Sequence, residues 1–303
     1  MRFDPDQLDT LVAITEEGTF DAAARRLHLT PSAVSQRVRA LERAAGQVLV
    51  RRTTPATVTS AGEPLVRLGR QLRLLVEEAS LTIGSSEVLA LAVAINADSL
   101  ATWFPPVLSA VASRPGLALR LQVEDQGYSH DLLRSGEVLA AVTSEPVAVQ
   151  GCVVEPLGSL RYIAAAAPSV IERHRRGRGV DWSTMPVVIF NEKDHLQDQV
   201  LARHGANRPA VVHRVPTTGG FHDAVVRGLG WGLLPEEHAR PEVSAGALQR
   251  IPGAKPIDVP LFWQRWRLDS QTLNELGEDV KRAAAASLRK PRPARSSVSR
   301  AAP

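Results

Sequence analysis

Between Gly18 and Gly46 the residue pattern leaves little freedom: two short helices must flank a tight turn. Thr19 is placed to cap a helix in which Phe20, Ala23, Ala24 and Leu27 fall at i, i+3, i+4 and i+7. His28-Leu29-Thr30 has room only for a turn. Thr30 then stands as N-cap, and Pro31 opens the next helix, where its missing N–H costs nothing. Val34, Val38, Leu41 and Ala45 stripe one face of that helix and predict a core contact. An earlier helix carrying Leu8, Leu11, Val12 and Thr15 stops near Gly18. This is the helix-turn-helix plan.

The opposite face of the later helix carries Ser32, Gln36, Arg39 and Arg43, with Ser35 beside them and Arg37 on the same helix. Ser, Gln and Arg reach base edges and phosphates from a helix lying in the major groove. From Gln47 to Thr59, two short β-type runs around a proline turn predict a hairpin wing. Arg51, Arg52 and Thr53 at its edge suit phosphate or minor-groove contact. Charge supports a polyanion partner. Residues 22–58 hold seven Arg against Glu42 alone, a net +6, and the last fifteen residues add +5. The whole chain is only +4, so the remainder is acidic at −7.

The run from Phe20 to Glu42, continued in register by Gly46, Leu49-Val50-Arg51-Arg52 and Thr59-Ser60-Ala61-Gly62, resembles the signature of LysR-type transcriptional regulators. Where that family commonly has Phe at the wing strand, this chain has Val48-Leu49-Val50. The resemblance implies double-stranded promoter DNA as a partner. It also implies dimers formed through a linker helix, and commonly tetramers. A long helix from Ala61 to about Ser86 is expected independently. Leu65, Leu68, Leu72, Leu75, Ala79 and Ile83 form a near-heptad seam suited to a second helix.

Beyond residue 87 short apolar strands alternate with helices, which predicts an α/β domain with largely parallel pairing. Strands are expected at Val88–Ile95, Leu117–Val123, Val138–Thr143, Val187–Phe190 and Val211–Val215. Helices are expected at Leu100–Ser113, Ser129–Ser135, Leu196–His204 and Phe221–Gly228. Two such sets, joined near Gly158–Ala166, give two subdomains around a cleft. The resemblance extends here to a LysR-type effector domain, itself similar in architecture to periplasmic binding proteins. The expected organisation is therefore an all-α winged helix-turn-helix at 1–60, a linker helix at 61–87, and an α/β two-subdomain effector domain at 88–290. Its first subdomain would take 88–160 plus 268–290 and its second 161–267. Residues 291–303 form a basic Arg/Ser/Pro/Ala tail that is expected to be disordered.

Ligands of open α/β sheets sit beyond the carboxyl ends of the strands. Those ends carry Asp98 and Ser99, Glu124 and Asp125, Thr143, and Asn191, while Thr217 and Thr218 join a strand to the helix opened by Phe221. Ser99 with adjoining backbone N–H groups is expected to hold a carboxylate. Asp98, Glu124 and Asp125 put negative charge at the same rim, so a ligand with a carboxylate and a remote cation would satisfy both. The stretches Asn96–Trp103, Gly136–Pro146 and Val149–Cys152 resemble the LysG/ArgP branch of the family. That likeness implies a basic amino-acid effector, lysine or arginine, with Trp103 in its pocket, and control of an exporter gene.

Other functions fit less well. No Gly-x-Ser-x-Gly elbow is present. Gly228–Gly232 is glycine-rich but follows a helix, unlike a dinucleotide fingerprint. His174, His195, His204, His213, His222 and His238 lack metal-ligand spacing with cysteine and read as surface or loop residues. Neither an enzyme nor a cofactor is expected, and a purely architectural DNA-binding protein would not need the α/β domain. The single Cys152 excludes an intramolecular disulfide. No signal segment is visible at Met1–Pro5, and the longest apolar stretch is too short to span a bilayer. A cytoplasmic protein with no membrane partner is expected.

Overall fold

The computed structural model describes residues 2–84, 88–124 and 129–290. The chain opens with α1 (Pro5–Glu17), α2 (Phe20–Arg26), α3 (Pro31–Ala45), the paired strands β1 (Val50–Arg51) and β2 (Thr57–Val58), and α4 (Glu63–Thr82). Next come β3 (Leu89–Ile95), α5 (Ala97–Ala101), α6 (Pro105–Ala112), β4 (Leu117–Val123), α7 (Ser129–Ser135), β5 (Ala140–Thr143) and the long β6 (Cys152–Ala166). After α8 (Pro168–Arg173), the hairpin β7 (Arg175–Arg176) and β8 (Gly179–Val180) leads to β9 (Val187–Ile189), α9 (Leu196–Arg203), β10 (Val212–Arg214) and α10 (Thr218–Val226). The remainder is β11 (Gly232–Pro235), α11 (Glu236–Ser244), β12 (Gln249–Arg250), β13 (Ile257–Trp266) and α12 (Gln271–Ser287).

Two compact units result. One holds the chain up to Ile95, Leu108–Val154 and Trp263–Glu278; the other holds Asn96–Val107, Glu155–Phe262 and the segment from Asp279 onward. β6 and β13 each contribute residues to both.

In the first unit the capping residues act as their chemistry dictates. Asp4 accepts from the Asp6 and Gln7 amides at the start of α1, and Gly18 ends that helix at φ 71°. Thr19 accepts from the Ala22 amide, and Thr30 from the Ala33 amide. His28, at φ 53°, makes the turn between α2 and α3. Leu8, Leu11, Val34, Val38 and Leu41 form one core with Leu49 and Val50 of the wing. That core also takes in Leu65 and Val66 of α4, with Leu72 packed against it. The expected seam is thus divided. Leu65 and Leu72 face their own module, while Leu68, Ala79 and Ile83 stay exposed. Ser85 and Ser86, the expected end of this helix, lie outside the described residues. In the same unit β3 pairs in parallel with β4 and with β5.

The second unit departs from the parallel expectation. β9 and β10 are parallel, but β11 and β12 both pair antiparallel with β6. β6 carries Pro156 and Gly158 and ends in an alanine run, and β13 carries Pro260, so neither reads as a strand. No helix among the described residues is long and apolar enough to cross a membrane.

α4 approaches α1 most closely at Gly69, where a Cβ would stand 2.7 Å from Val12 Cγ2 and 3.1 Å from the Leu8 carbonyl oxygen. Alanine in a helix interior gains about 1 kcal/mol over glycine. Overpacking against a backbone atom costs about 1–3 kcal/mol, so the clash decides the sign. Gly69→Ala is expected to lower the urea midpoint for unfolding of this unit; a raised midpoint would show that α1 and α4 are not held this close.

Candidate functional site

α3 presents its polar face as the spacing requires. Ser32, Gln36, Arg39 and Arg43 are exposed while Val34, Val38 and Leu41 are buried; Ser35 is half-buried. Arg37 turns instead toward α1, pairing with Asp6 at 2.8 Å and reaching Thr10. The wing pairs Val50 with Val58 and Arg51 with Thr57, leaving Arg51, Arg52 and Thr53 exposed. The Thr53 hydroxyl donates to the Pro55 carbonyl at 2.6 Å. Arg52 lies over the Phe20 ring, 4.5 Å from its centroid, which fixes a cation beside the start of α2. Glu42, the one acid of the stretch, accepts from the Leu49 amide and so joins α3 to the wing.

The second unit gathers Asp98, Ser99, Trp103, Thr217, Thr218 and Phe221, because α10 packs against α5. α5 has only five residues, and its cap Asn96 accepts from the Ser99 amide at 2.7 Å. That N–H is therefore committed to the helix cap. The segment also offers three buried polar atoms that have no partner among the described residues: Asn96 Nδ2, Ser99 Oγ and Trp103 Nε1. Each is costly to leave unmet. Thr217 caps α10 with no side-chain bond, and Phe221 is buried beneath Gly232.

Asp98 is half-buried in the first turn of α5. The hydroxyl of Tyr162 donates to its Oδ2 at 2.7 Å. Burial pushes the Asp98 carboxyl above the ordinary aspartate range, the Tyr162 bond opposes that rise, and the charge of Asp194 adds to it. None of these influences is a cation. Asp194 itself accepts from the Phe190 and Leu196 amides and shapes the loop that carries Asn191. Asn191 accepts from the Lys193 amide. Tyr162 was not legible as a site residue, because it sits mid-way along the unrecognised β6. Also in this unit, His222 is buried and stacked on His238 at 4.4 Å, not at the surface or in a loop.

In the first unit Glu124 is half-buried at the end of β4, its amide donating to the Ile95 carbonyl. Thr143 is wholly buried and accepts from the Glu145 amide. Asp125 lies outside the described residues.

Comparison with known proteins matches residues 5–63 to the bacterial regulatory helix-turn-helix protein, lysR family, and residues 84–285 to the LysR substrate binding domain. The lysine export transcriptional regulatory protein LysG of Corynebacterium glutamicum is 47% identical over 291 residues, covering 94% of this chain and 99% of its own. A full-length structure of that organism's LysG with bound effector Arg superposes with a TM-score of 0.82 at 47% identity, covering 95% of this chain and 100% of that one. The crystal structure of ArgP from Mycobacterium tuberculosis gives 0.88 at 40% identity, covering 96% and 100%.

The charge state of Asp98 can be read directly by carbon-13 NMR. Its titration is expected above the usual 3.8. Because the folded state keeps this proton longer than the unfolded chain, Asp98 should reduce stability as pH rises from 3.8 through the raised value. Tyr162→Phe removes the one interaction that favours the carboxylate and should move the titration higher still. A titration unchanged by Tyr162→Phe would show that the 2.7 Å hydrogen bond does not act on the carboxylate.

Proposed function

The chain belongs to the LysR family of bacterial regulatory helix-turn-helix proteins, and we propose that it is a cytoplasmic transcription regulator whose promoter binding responds to a basic amino acid, lysine or arginine. The observation that carries the effector reading is the surround of α5. Among the described residues, three buried polar atoms lack partners and stand beside a carboxylate that no cation neutralises. Asn96 Nδ2, Ser99 Oγ and Trp103 Nε1 can donate to a ligand carboxylate. Asp98, with Asp194 nearby, can take an ammonium or guanidinium. Asn191, Thr217 and Thr218 complete the proposed contacts within this unit. The relatives support this chemistry, since one is named for lysine export and its structure holds Arg. By the same likeness the regulated gene is an amino-acid exporter, and the protein works as a homodimer or homotetramer.

The proposed division of labour follows the chain: a winged module at 1–60, a linker at 61–87, an effector domain at 88–290 and a basic tail at 291–303. DNA is read by Ser32, Ser35, Gln36, Arg39 and Arg43 from α3, with Arg51, Arg52 and Thr53 on the backbone. Arg37, held by Asp6, supports that face from behind.

Calorimetry with arginine and lysine tests the effector. A charge-assisted hydrogen bond is worth about 1.5–3 kcal/mol, so Asp98→Asn should weaken binding roughly ten- to a hundredfold. Heat from a neutral or acidic metabolite, and none from arginine or lysine, would sink the assignment. For DNA, Gln36→Ala should reduce discrimination between operator and random sequence by about 1–3 kcal/mol. Arg52→Ala should weaken both and flatten the salt dependence. Wild-type affinity in both variants across a salt titration would remove this docking face.

A further inference from the structure

Helix α7 is gripped at both ends by groups that belong to different parts of the first unit. The last four carbonyls of any α-helix lack partners within it. Here the Leu133 carbonyl accepts from Trp266 Nε1 at 3.1 Å. The Arg134 carbonyl accepts from Arg67 Nη1 at 3.1 Å, and the Ser135 carbonyl from Arg70 Nη1 at 3.0 Å. Both arginines come from α4, and positive charge at a helix C-terminus complements its dipole. Gly136 permits the approach: a Cβ there would sit 3.2 Å from Arg67 Cα, on a backbone at φ 73°. Arg67 also lies over the Trp266 ring.

Arg70 does more than cap. Its Nε donates to Glu16 Oε1 of α1 at 3.3 Å, so one guanidinium holds the DNA-binding module and the end of α7 together. Glu16 is a fixed partner. Burial pushes its carboxyl up, but Arg73, Arg26 and Arg70 together bring it below the ordinary range. Next to this bridge a polar cavity of about 1000 Å³, lined by Glu16, Arg70, Arg73, Arg120, Gln122 and Glu137, separates α1 from the strands β3 and β4. The link there consists of directional hydrogen bonds, which a small displacement can break.

The start of α7 lies against the side chain that holds the loop after Thr143. Gln264 Nε2 lies 3.0 Å from His130 Nε2. The wholly buried Gln264 also donates to the Glu145 and Val147 carbonyls and accepts from the Val149 amide. It thereby fixes the loop that follows Thr143.

We propose that Arg70 is a positioning residue through which α7 transmits the effector-bound state to the winged helix-turn-helix. The proposal takes an arginine-responsive regulator from the reading above. A shift of α7 at its Gln264-held end moves the Ser135 carbonyl, and Arg70 must then either follow it or stay with Glu16.

The test uses the full chain, L-arginine and a duplex selected by the protein from random sequence. Coupling between regulatory sites is about 5–150-fold in affinity. Arg70→Gln should bind arginine like wild type in calorimetry, while the arginine-dependent change in DNA affinity collapses toward onefold. Arg70→Lys keeps the charge but not the two-way fork, so it should show the same loss with the fold intact. Arg26→Gln, which touches Glu16 but not α7, should keep the coupling. Undiminished coupling in Arg70→Gln overturns the proposal. If wild type ignores arginine, the effector reading fails, and hydrogen exchange without ligand judges the bridge. Arg70→Gln must then speed exchange in both Pro5–Glu17 and Ser129–Ser135, and Arg26→Gln in the first alone. Unchanged exchange at Ser129–Ser135 also overturns it.

Discussion

The first unit depends on α4 belonging to two assemblies at once. One stripe, Leu65, Val66, Gly69 and Leu72, is part of the core that stabilises the helix-turn-helix. Another row, Arg67, Arg70 and Glu78, meets the ends of other helices, with Glu78 accepting from the amide and hydroxyl of Thr272 in the first turn of α12. Basic groups sit at the C-terminus of α7 and an acid at the N-terminus of α12, each matching the local dipole. Apolar packing fixes α4 to the winged module. Its side-chain bonds to the effector part, from Arg67, Arg70 and Glu78, are polar and directional. A regulator needs that asymmetry: one junction that holds and one that can switch.

In the second unit the interior retains polar groups that a purely structural domain would have paired. Asn96, Ser99 and Trp103 supply donors, and Asp98 supplies a carboxyl that burial raises above the ordinary aspartate range. Such groups reduce stability unless something else satisfies them. Their clustering around a five-residue helix, beside the start of α10, distinguishes them from isolated packing defects.

Much of the winged module was legible because its determinants are local. Caps, a first-turn proline and the 3.6-residue stripe depend on neighbours a few positions away, and Thr19, Thr30 and Pro31 behave accordingly. The α/β strands carried by Val, Ile and Leu runs were legible for the same reason. What could not be read was long-range. Pro156, Pro260 and the alanine run ending β6 hide strands whose partners are distant in sequence. Tyr162 meets Asp98 across 64 positions, and Arg70 meets Ser135 across 65. Arg37 pairs with Asp6 across 31 positions, which no local pattern shows.

Arg52 rests on the Phe20 ring before any nucleic acid arrives. A free arginine side chain carries about 2 kcal/mol of rotamer entropy that binding must remove. Here the folded wing has already removed part of it. The benefit falls on the lifetime of the complex more than on its rate of formation, since affinity differences among related complexes lie mostly in dissociation. The aromatic ring beneath Arg52 would thus help set how long the protein stays on its site.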